Sequence, residues 1–178
     1  MKKKHLMLDI ETLNTTPDAV ILAIGAVTFD KNGIGERFYV NISLRDNLIL
    51  ERTISEGTFY WWCKQDREAS KALTVDVKDV VTAFELFTKF LEEHTDPDDI
   101  RVWGNGAQFD NVIVRHWLTQ MNYPEQKMWK FWNDRCFRTY LVANPNIERL
   151  KPDVAHNALS DAEAQAKTII NYWVASKT

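Results

Sequence analysis

The sequence predicts an α/β domain, and three observations predict it. The first 42 residues hold β-rich apolar runs separated by turn residues. Apolar side chains then recur at helix spacing in three later segments, and a short apolar strand lies between the first two of these. With 45% hydrophobic residues, 178 positions supply one well-buried core and are too few for two comfortable domains, so residues 1–178 are expected to form a single domain.

The first strand is expected over His5 to Glu11 and the second over Ala19 to Phe29. Gly33 to Gly35 mark a turn before a third strand, Arg37 to Ile42, so the opening third reads as an antiparallel meander. From Asp79 to Leu91 the residues Val80, Phe84, Phe87 and Leu91 fall on one helical stripe, with Asp79 suited to the helix start. Ile100 to Trp103 is a short strand ending at Gly104-Asn105-Gly106. A second helix is predicted over Phe109 to Met121, with Val114, Trp117, Leu118 and Met121 on its inner side. Asp110 lies four residues before Val114 on that side, so its carboxylate is expected to face the sheet. Trp129 to Cys136 holds one more strand, and Asn144 to Val154, with its two prolines, is a loop. The last helix, Ser160 to Trp173, turns Ala162, Ala166, Ile169, Ile170 and Trp173 inward. Ser160 and Glu163 have capping-box spacing, which leaves Asp161 in the first turn without a capping task.

Composition excludes several classes. Cys63 and Cys136 are widely spaced and form neither a disulfide framework nor a zinc motif, which fits a reducing compartment, the cytoplasm. The basic start Lys2-Lys3-Lys4 is followed by Asp9 and Glu11 rather than by the apolar stretch of a signal peptide, so no export signal is expected. No apolar run approaches the roughly 20 residues of a membrane span, and no membrane association is expected. A net charge of -3 argues against a protein that coats nucleic acid with a broad basic surface. Attraction to a polyanion would have to be local, from bound cations and a few Arg or Lys side chains.

Four carboxylates and one histidine fall in three short stretches. Asp9 and Glu11 are two apart on the first strand and therefore point the same way. Asp110 follows Asn105-Gly106-Ala107-Gln108-Phe109, and His156 precedes Asp161 by five residues at the mouth of the last helix. Singly these are ordinary features: D-x-E suits a solvated strand end, and Asp at a helix start satisfies free N–H groups. Jointly they would repel strongly unless cations sat between them. Oxygen-only ligands suit Mg²⁺ or Mn²⁺, and two such ions about 3.5 to 4 Å apart clamp the attacking and leaving oxygens of a displacement at phosphorus. An imidazole, with its ordinary pKa of about 6.5, can take the proton of the attacking water. His5, His94 and His116 read as ordinary surface or core side chains.

With these residues in place, the chain resembles the DEDD superfamily of 3′ to 5′ exonucleases, which includes polymerase proofreading domains and ribonucleases that trim RNA ends. Asp9-Ile10-Glu11-Thr12 is similar to the first motif, Asn105 through Asp110 to the second, and His156 through Asp161, a rarer string, to the third. The superfamily divides by its general base, a tyrosine four positions before the last Asp or a histidine five before it; position 157 is Asn and 156 is His, so the resemblance is to the histidine type. It implies a ribonuclease H-like fold, a mixed five-stranded sheet with an antiparallel meander and then parallel strands, flanked by helices. It also implies Asp9, Glu11, Asp110 and Asp161 as ligands of two Mg²⁺ or Mn²⁺ ions, with His156 as base. Ser55 through Ala69 and Trp132 through Thr139 look most like a group of small phage-type and bacterial exonucleases, departing at Cys136, where that group carries an acidic residue.

The expected reaction is removal of nucleoside 5′-monophosphates from single-stranded 3′ ends of DNA or RNA. The alternatives are a phosphodiesterase for dinucleotides and a non-catalytic domain of the same fold that binds nucleic acid or protein. Substrate contacts are expected at Thr12, Leu13, Trp61 or Trp62, and Phe109, where bases could stack or be wedged, and at Arg138 or Arg135 for phosphate. The oligomeric state is left open by the sequence, with a homodimer as one candidate, since dimers are common among small relatives.

Overall fold

Side chains of β1 (His5–Thr12) alternate between two apolar layers, and that alternation organises the molecule. Leu6, Leu8 and Ile10 face one layer; Met7 faces the other, and Asp9 and Glu11 share its parity. The computed structural model describes residues 2–176. After β1 come β2 (Ile21–Asp30) and β3 (Gly33–Ile42), then short helices α1 (Leu44–Ile49), α2 (Glu56–Trp62) and α3 (Arg67–Ala72). There follow β4 (Val77–Lys78), α4 (Val80–His94), β5 (Arg101–Gly104), α5 (Asp110–Gln120), β6 (Asp134–Cys136), α6 (Phe137–Ala143) and α7 (Ala158–Ala175).

The sheet runs β4-β3-β2-β1-β5-β6. β1, β2 and β3 form the antiparallel meander, while β5 pairs parallel to β1, β6 to β5 and β4 to β3. Helices α4 and α5 cover one face, where Phe87, Leu91, Val114, Trp117 and Leu118 pack on Leu6, Leu8 and Ile24. On the other face α7 brings Ala162, Ala166 and Ile169 onto Met7, Val27 and Phe29. Each fully buried Leu or Phe contributes about 1.5–3 kcal/mol, so these layers hold the sheet ends in place. A third, smaller cluster of Leu13, Val20, Trp62 and Ala69 fixes α2 and α3 beside the end of β1. No helix is long and apolar enough to cross a membrane among the described residues.

The mixed α/β architecture is the expected one, with six strands where five were expected. The extra strand, β4, is only two residues long, too short for any alternation to show. The β2–β3 turn falls at Lys31-Asn32, and Gly33 already pairs with Asp30, so Gly33 to Gly35 belong to the strand. Of Trp129 to Cys136 only the last three residues join the sheet, because β5 offers them just Val102 to Gly104 as partners. Asp79 does cap its helix, accepting from Val81 and Thr82 N–H at 3.1 and 2.9 Å.

The last helix starts two residues early, and its capping box does not form. Asn157 is the cap, its Oδ1 accepting from Ser160 N–H at 3.1 Å. Ser160 Oγ instead accepts from Val154 N–H at 3.0 Å, and Glu163 pairs with Lys167 and Arg37. The four short helices α1, α2, α3 and α6 lie outside the sequence expectation, since six or seven residues give less than two helical turns of periodicity.

Candidate active site

Shared parity with Met7 sends Asp9 and Glu11 to the α7 side of the sheet, at the end of β1 where Leu8 is the last residue paired with β5. Across the ladder Asp9 pairs with Gly25. A Cβ at Gly25 would collide with the backbone of Ala158 and Leu159, so the glycine lets the first turn of α7 lie directly on the strand. That close approach delivers Asp161. One carboxylate oxygen from each of Asp9, Glu11 and Asp161 lies within 4.8 Å of the others.

Asp110 arrives from the opposite layer. Helix α5 packs through Ile113, Val114, Trp117 and Leu118 on the α4 side, and Asp110, 2% exposed, reaches round the end of β5. Its Oδ2 accepts from Gly106 N–H at 3.1 Å, and its carboxylate also accepts from Ile10 N–H, on the stretch of β1 that has run past β5. Gly104 makes the turn possible, since a Cβ there would stand 2.8 Å from Asp110 Oδ2. The helix cap is Phe109, which makes no side-chain cap bond. Asp110 lines the same cavity as the other three carboxylates but stands outside the trio whose oxygens meet.

His156 occupies the left-handed region, φ 58°, a conformation that is uncommon outside glycine and clusters at functional sites. The turn is held from below: the Asp161 carboxylate accepts the backbone N–H groups of His156 and Asn157. Asp161 therefore does have a local capping task, in addition to facing Asp9 and Glu11. The His156 ring meets Trp61 edge-on, centroids 5.0 Å apart.

These residues line a cavity of about 450 Å³, together with Asn105, Phe109, Arg138 and Arg149. Burial pushes the Glu11 carboxyl up to about 8, with the Asp161 and Asp110 charges adding to it. Burial also raises Asp9 well above the carboxylate range, helped by Asp110, Glu11 and Asp161 and opposed by a hydrogen bond from Gln165. Asp110 and Asp161 are raised by burial as well, against the backbone N–H groups they accept and the charges of Arg138 and Arg149 respectively. Close, desolvated, oxygen-only donors whose charged forms repel one another match a hard divalent cation, which needs such oxygens and removes the repulsion. Asp9, Glu11 and Asp161 could hold it, with Asp110 beside them.

Among the expected substrate residues, Phe109 and Arg138 line the cavity. Trp61 is outside the lining but 43% exposed, next to His156. Trp62 is buried and its Nε1–H donates to Thr12 C=O at 2.8 Å, which ties α2 to β1. Thr12 and Leu13 are 5% and 7% exposed and do not line the cavity; Leu13 packs on Val20 and Trp62, while Thr12 Oγ1 donates to Asn14 C=O. Both side chains are spent on supporting the wall. Arg135 turns to the carbonyls of Trp132 and Asp134, away from the cavity. Two cavity neighbours were not foreseen. Arg149 sits in the proline-containing loop, where no periodicity could single it out. Gln165, which donates from Nε2 to Asp9 Oδ1 at 2.8 Å, lies four residues after Asp161, a same-face spacing that could have pointed to it.

Comparison with known proteins gives a consistent picture. Residues 4–173 match the family described as the 3′-5′ exoribonuclease Rv2179c-like domain. No curated protein sequence matches the chain. Among solved structures it is similar to E. coli exonuclease I in a zinc-bound complex with single-stranded DNA, at a TM-score of 0.70 and 14% identity, over 99% of this chain and 42% of that one. It is also similar to cell-death related nuclease 4, at a TM-score of 0.56 and 13% identity over 96% of this chain and 64% of that one. A full-length 3′-exonuclease matches at a TM-score of 0.53 and 8% identity, over 99% of this chain and 84% of that one. The chain thus spans less than half the length of exonuclease I.

Proposed function

This chain belongs to the 3′-5′ exoribonuclease Rv2179c-like domain family; from that premise we propose that it is a 3′-5′ exonuclease that releases nucleoside 5′-monophosphates from single-stranded RNA 3′ ends, by metal-dependent hydrolysis of the histidine (DEDDh) type. The observation that carries the metal reading is the meeting of Asp9, Glu11 and Asp161 oxygens within 4.8 Å in a desolvated cavity. With Asp110 these residues would hold two Mg²⁺ or Mn²⁺ ions. Bound there, the cations supply charge neutralisation for an in-line displacement at phosphorus.

The protein's own groups do the rest. His156, held on the cavity wall by its left-handed turn, accepts the proton of the attacking water. Phe109 and Trp61 offer ring faces to the terminal bases, and such stacking is worth roughly 1 to 3 kcal/mol for any base. Arg138 and Arg149 are the cations lining the cavity and supply forked N–H donors for the substrate phosphates. Thr12 and Leu13 serve through the wall they support. A cavity of about 450 Å³ holds only a few nucleotides, which favours short oligomers and dinucleotides as a second substrate class.

Free thiols at Cys63 and Cys136 support the cytoplasm as the compartment. Exposed Phe131 and Trp132 beside the β6 edge support a homodimer, to be measured by sedimentation.

The test uses 5′-labelled RNA and DNA oligomers of one sequence, from two nucleotides upward, with Mg²⁺ or Mn²⁺. A ladder shortening from the 3′ end, faster on RNA, is expected. No cleavage of any oligomer by folded protein would overturn the proposal, and equal rates on DNA would remove the RNA preference.

A further inference from the structure

Each carboxylate of the cavity that comes from a helix is held by backbone donors. Asp161 accepts N–H groups of His156 and Asn157, and Asp110 accepts those of Gly106 and Ile10. Asp9 is different. Its carboxyl is crowded by Asp110, Glu11 and Asp161, and Gln165 Nε2–H donates to Asp9 Oδ1 at 2.8 Å.

Gln165 is an unusual choice for its place. It is 4% exposed, on the face of α7 that carries Ala162, Ala166 and Ile169 into the core, and its Oε1 is buried with no hydrogen-bond partner among the described residues. A buried amide with half its capacity unmet is a net burden on folding, and an unbranched apolar side chain would fill the same space without it. The residue makes sense through what its other half does. Asp161 and Gln165 are one turn apart on a single rigid helix, so the hydrogen bond from Gln165 sets the Asp9 carboxylate at a fixed place relative to Asp161.

We propose that Gln165 is a positioning residue: it orients Asp9 for cation binding, and it does so at a cost to the stability of the metal-free fold. This rests on the metal reading of the same carboxylates given above. It follows the general behaviour of residues that orient metal ligands, whose loss weakens binding by about 10- to 100-fold.

Calorimetric titration of the metal-free protein with Mn²⁺, and thermal melting without metal, test it on wild type, Gln165→Met and Gln165→Asn. Gln165→Met is expected to bind Mn²⁺ about tenfold more weakly or worse, while melting at or above the wild-type temperature. Gln165→Asn, whose amide falls one methylene short of Asp9, is expected to bind weakly and melt lower. Binding by Gln165→Met within about twofold of wild type, well short of the loss expected, overturns the proposal; so does weaker binding accompanied by a metal-free melting temperature several degrees lower, which marks an ordinary structural role. A Gln165→Met that does not fold overturns it for the same reason, and undiminished Mn²⁺ binding by Gln165→Asn overturns it too. Wild type that binds no Mn²⁺ overturns the metal reading itself, a result distinct from either.

Discussion

The two ends of β1 bury titratable groups in opposite ways. At the start of the strand His5 sits against Phe29 and Trp173, ring centroids 5.2 and 4.9 Å away, and its Nδ1 accepts from Trp103 Nε1–H at 3.0 Å. Burial, then the charges of Arg101 and Arg135, push it down to about 4, so the ring is neutral and its acceptor is satisfied. At the far end burial pushes the carboxyls up, yet each sits among others of the same sign. Desolvation and like-charge neighbours are common to both ends; at His5 the charges of Asp30 and Asp99 oppose those of Arg101 and Arg135, whereas at the far end the carboxylates crowd one another. Cavity size does not discriminate either, since the space beside His5, about 800 Å³, exceeds the 450 Å³ at the carboxylates. What sets the carboxylate end apart is mutual repulsion among acidic groups, which only protons or cations can relieve.

The comparison is broken most directly by Asp161→Asn. If the trio holds cations, turnover should fall by on the order of 10³ or more, as the loss of several kcal/mol of charge stabilisation requires. The metal-free variant should also melt higher than wild type, because one repelling charge is gone. Activity retained within tenfold would put the chemistry elsewhere.

His156→Ala should lower turnover by about 10² to 10⁴ and leave Mn²⁺ binding intact, read by single-turnover kinetics and titration. Lost metal binding would recast the residue as a ligand or a structural element. Arg149→Ala should weaken KM for oligomers by about tenfold with turnover little changed, as loss of a charge-assisted hydrogen bond implies.

Opposite pH dependences sharpen the contrast further. Glu11 is raised from 4.5 to about 8, so the metal-free native state binds more protons than the unfolded chain between those values. Its contribution to stability is complete below about pH 4.5 and is lost as pH rises through 8. Mn²⁺ displaces those protons, and the melting temperature it adds should grow over the same interval. His5 is lowered from 6.5 to about 4 and works the other way: its contribution is complete above 6.5 and lost as pH falls through 4. Melting curves of metal-free protein from pH 4 to 9 check both signs. The smallest effect is expected from His5→Phe, which should flatten the acid limb and leave activity within about twofold, as for a site far from the chemistry. A large loss of activity would show that the two ends are coupled.

Much of this was legible along the chain. The meander, the helices carrying Phe87 and Trp117, and the like parity of Asp9 and Glu11 follow from local periodicity, which survives in a string of letters because backbone geometry repeats every two or 3.6 residues. Other features left no such trace. Ser160 and Glu163 have the spacing of a capping box, but Asn157 competes successfully for the Ser160 N–H, and Arg37, remote in sequence, shares Glu163 with Lys167. Leu13 and Trp62 look alike as candidate contacts until packing buries both beside β1.

Sequence alone determined the α/β class and the strand that carries Asp9 and Glu11, and it singled out the carboxylates and His156 as candidates, because residue type and short-range period are local properties. Only the tertiary structure decided that α7 could settle on Gly25, that Asp110 would reach round β5 from the other layer, and that Gln165 would bond to Asp9. Those outcomes depend on close approach between segments as many as 156 positions apart. Steric fit at such distances is set by the whole packed core and not by any stretch of chain within it.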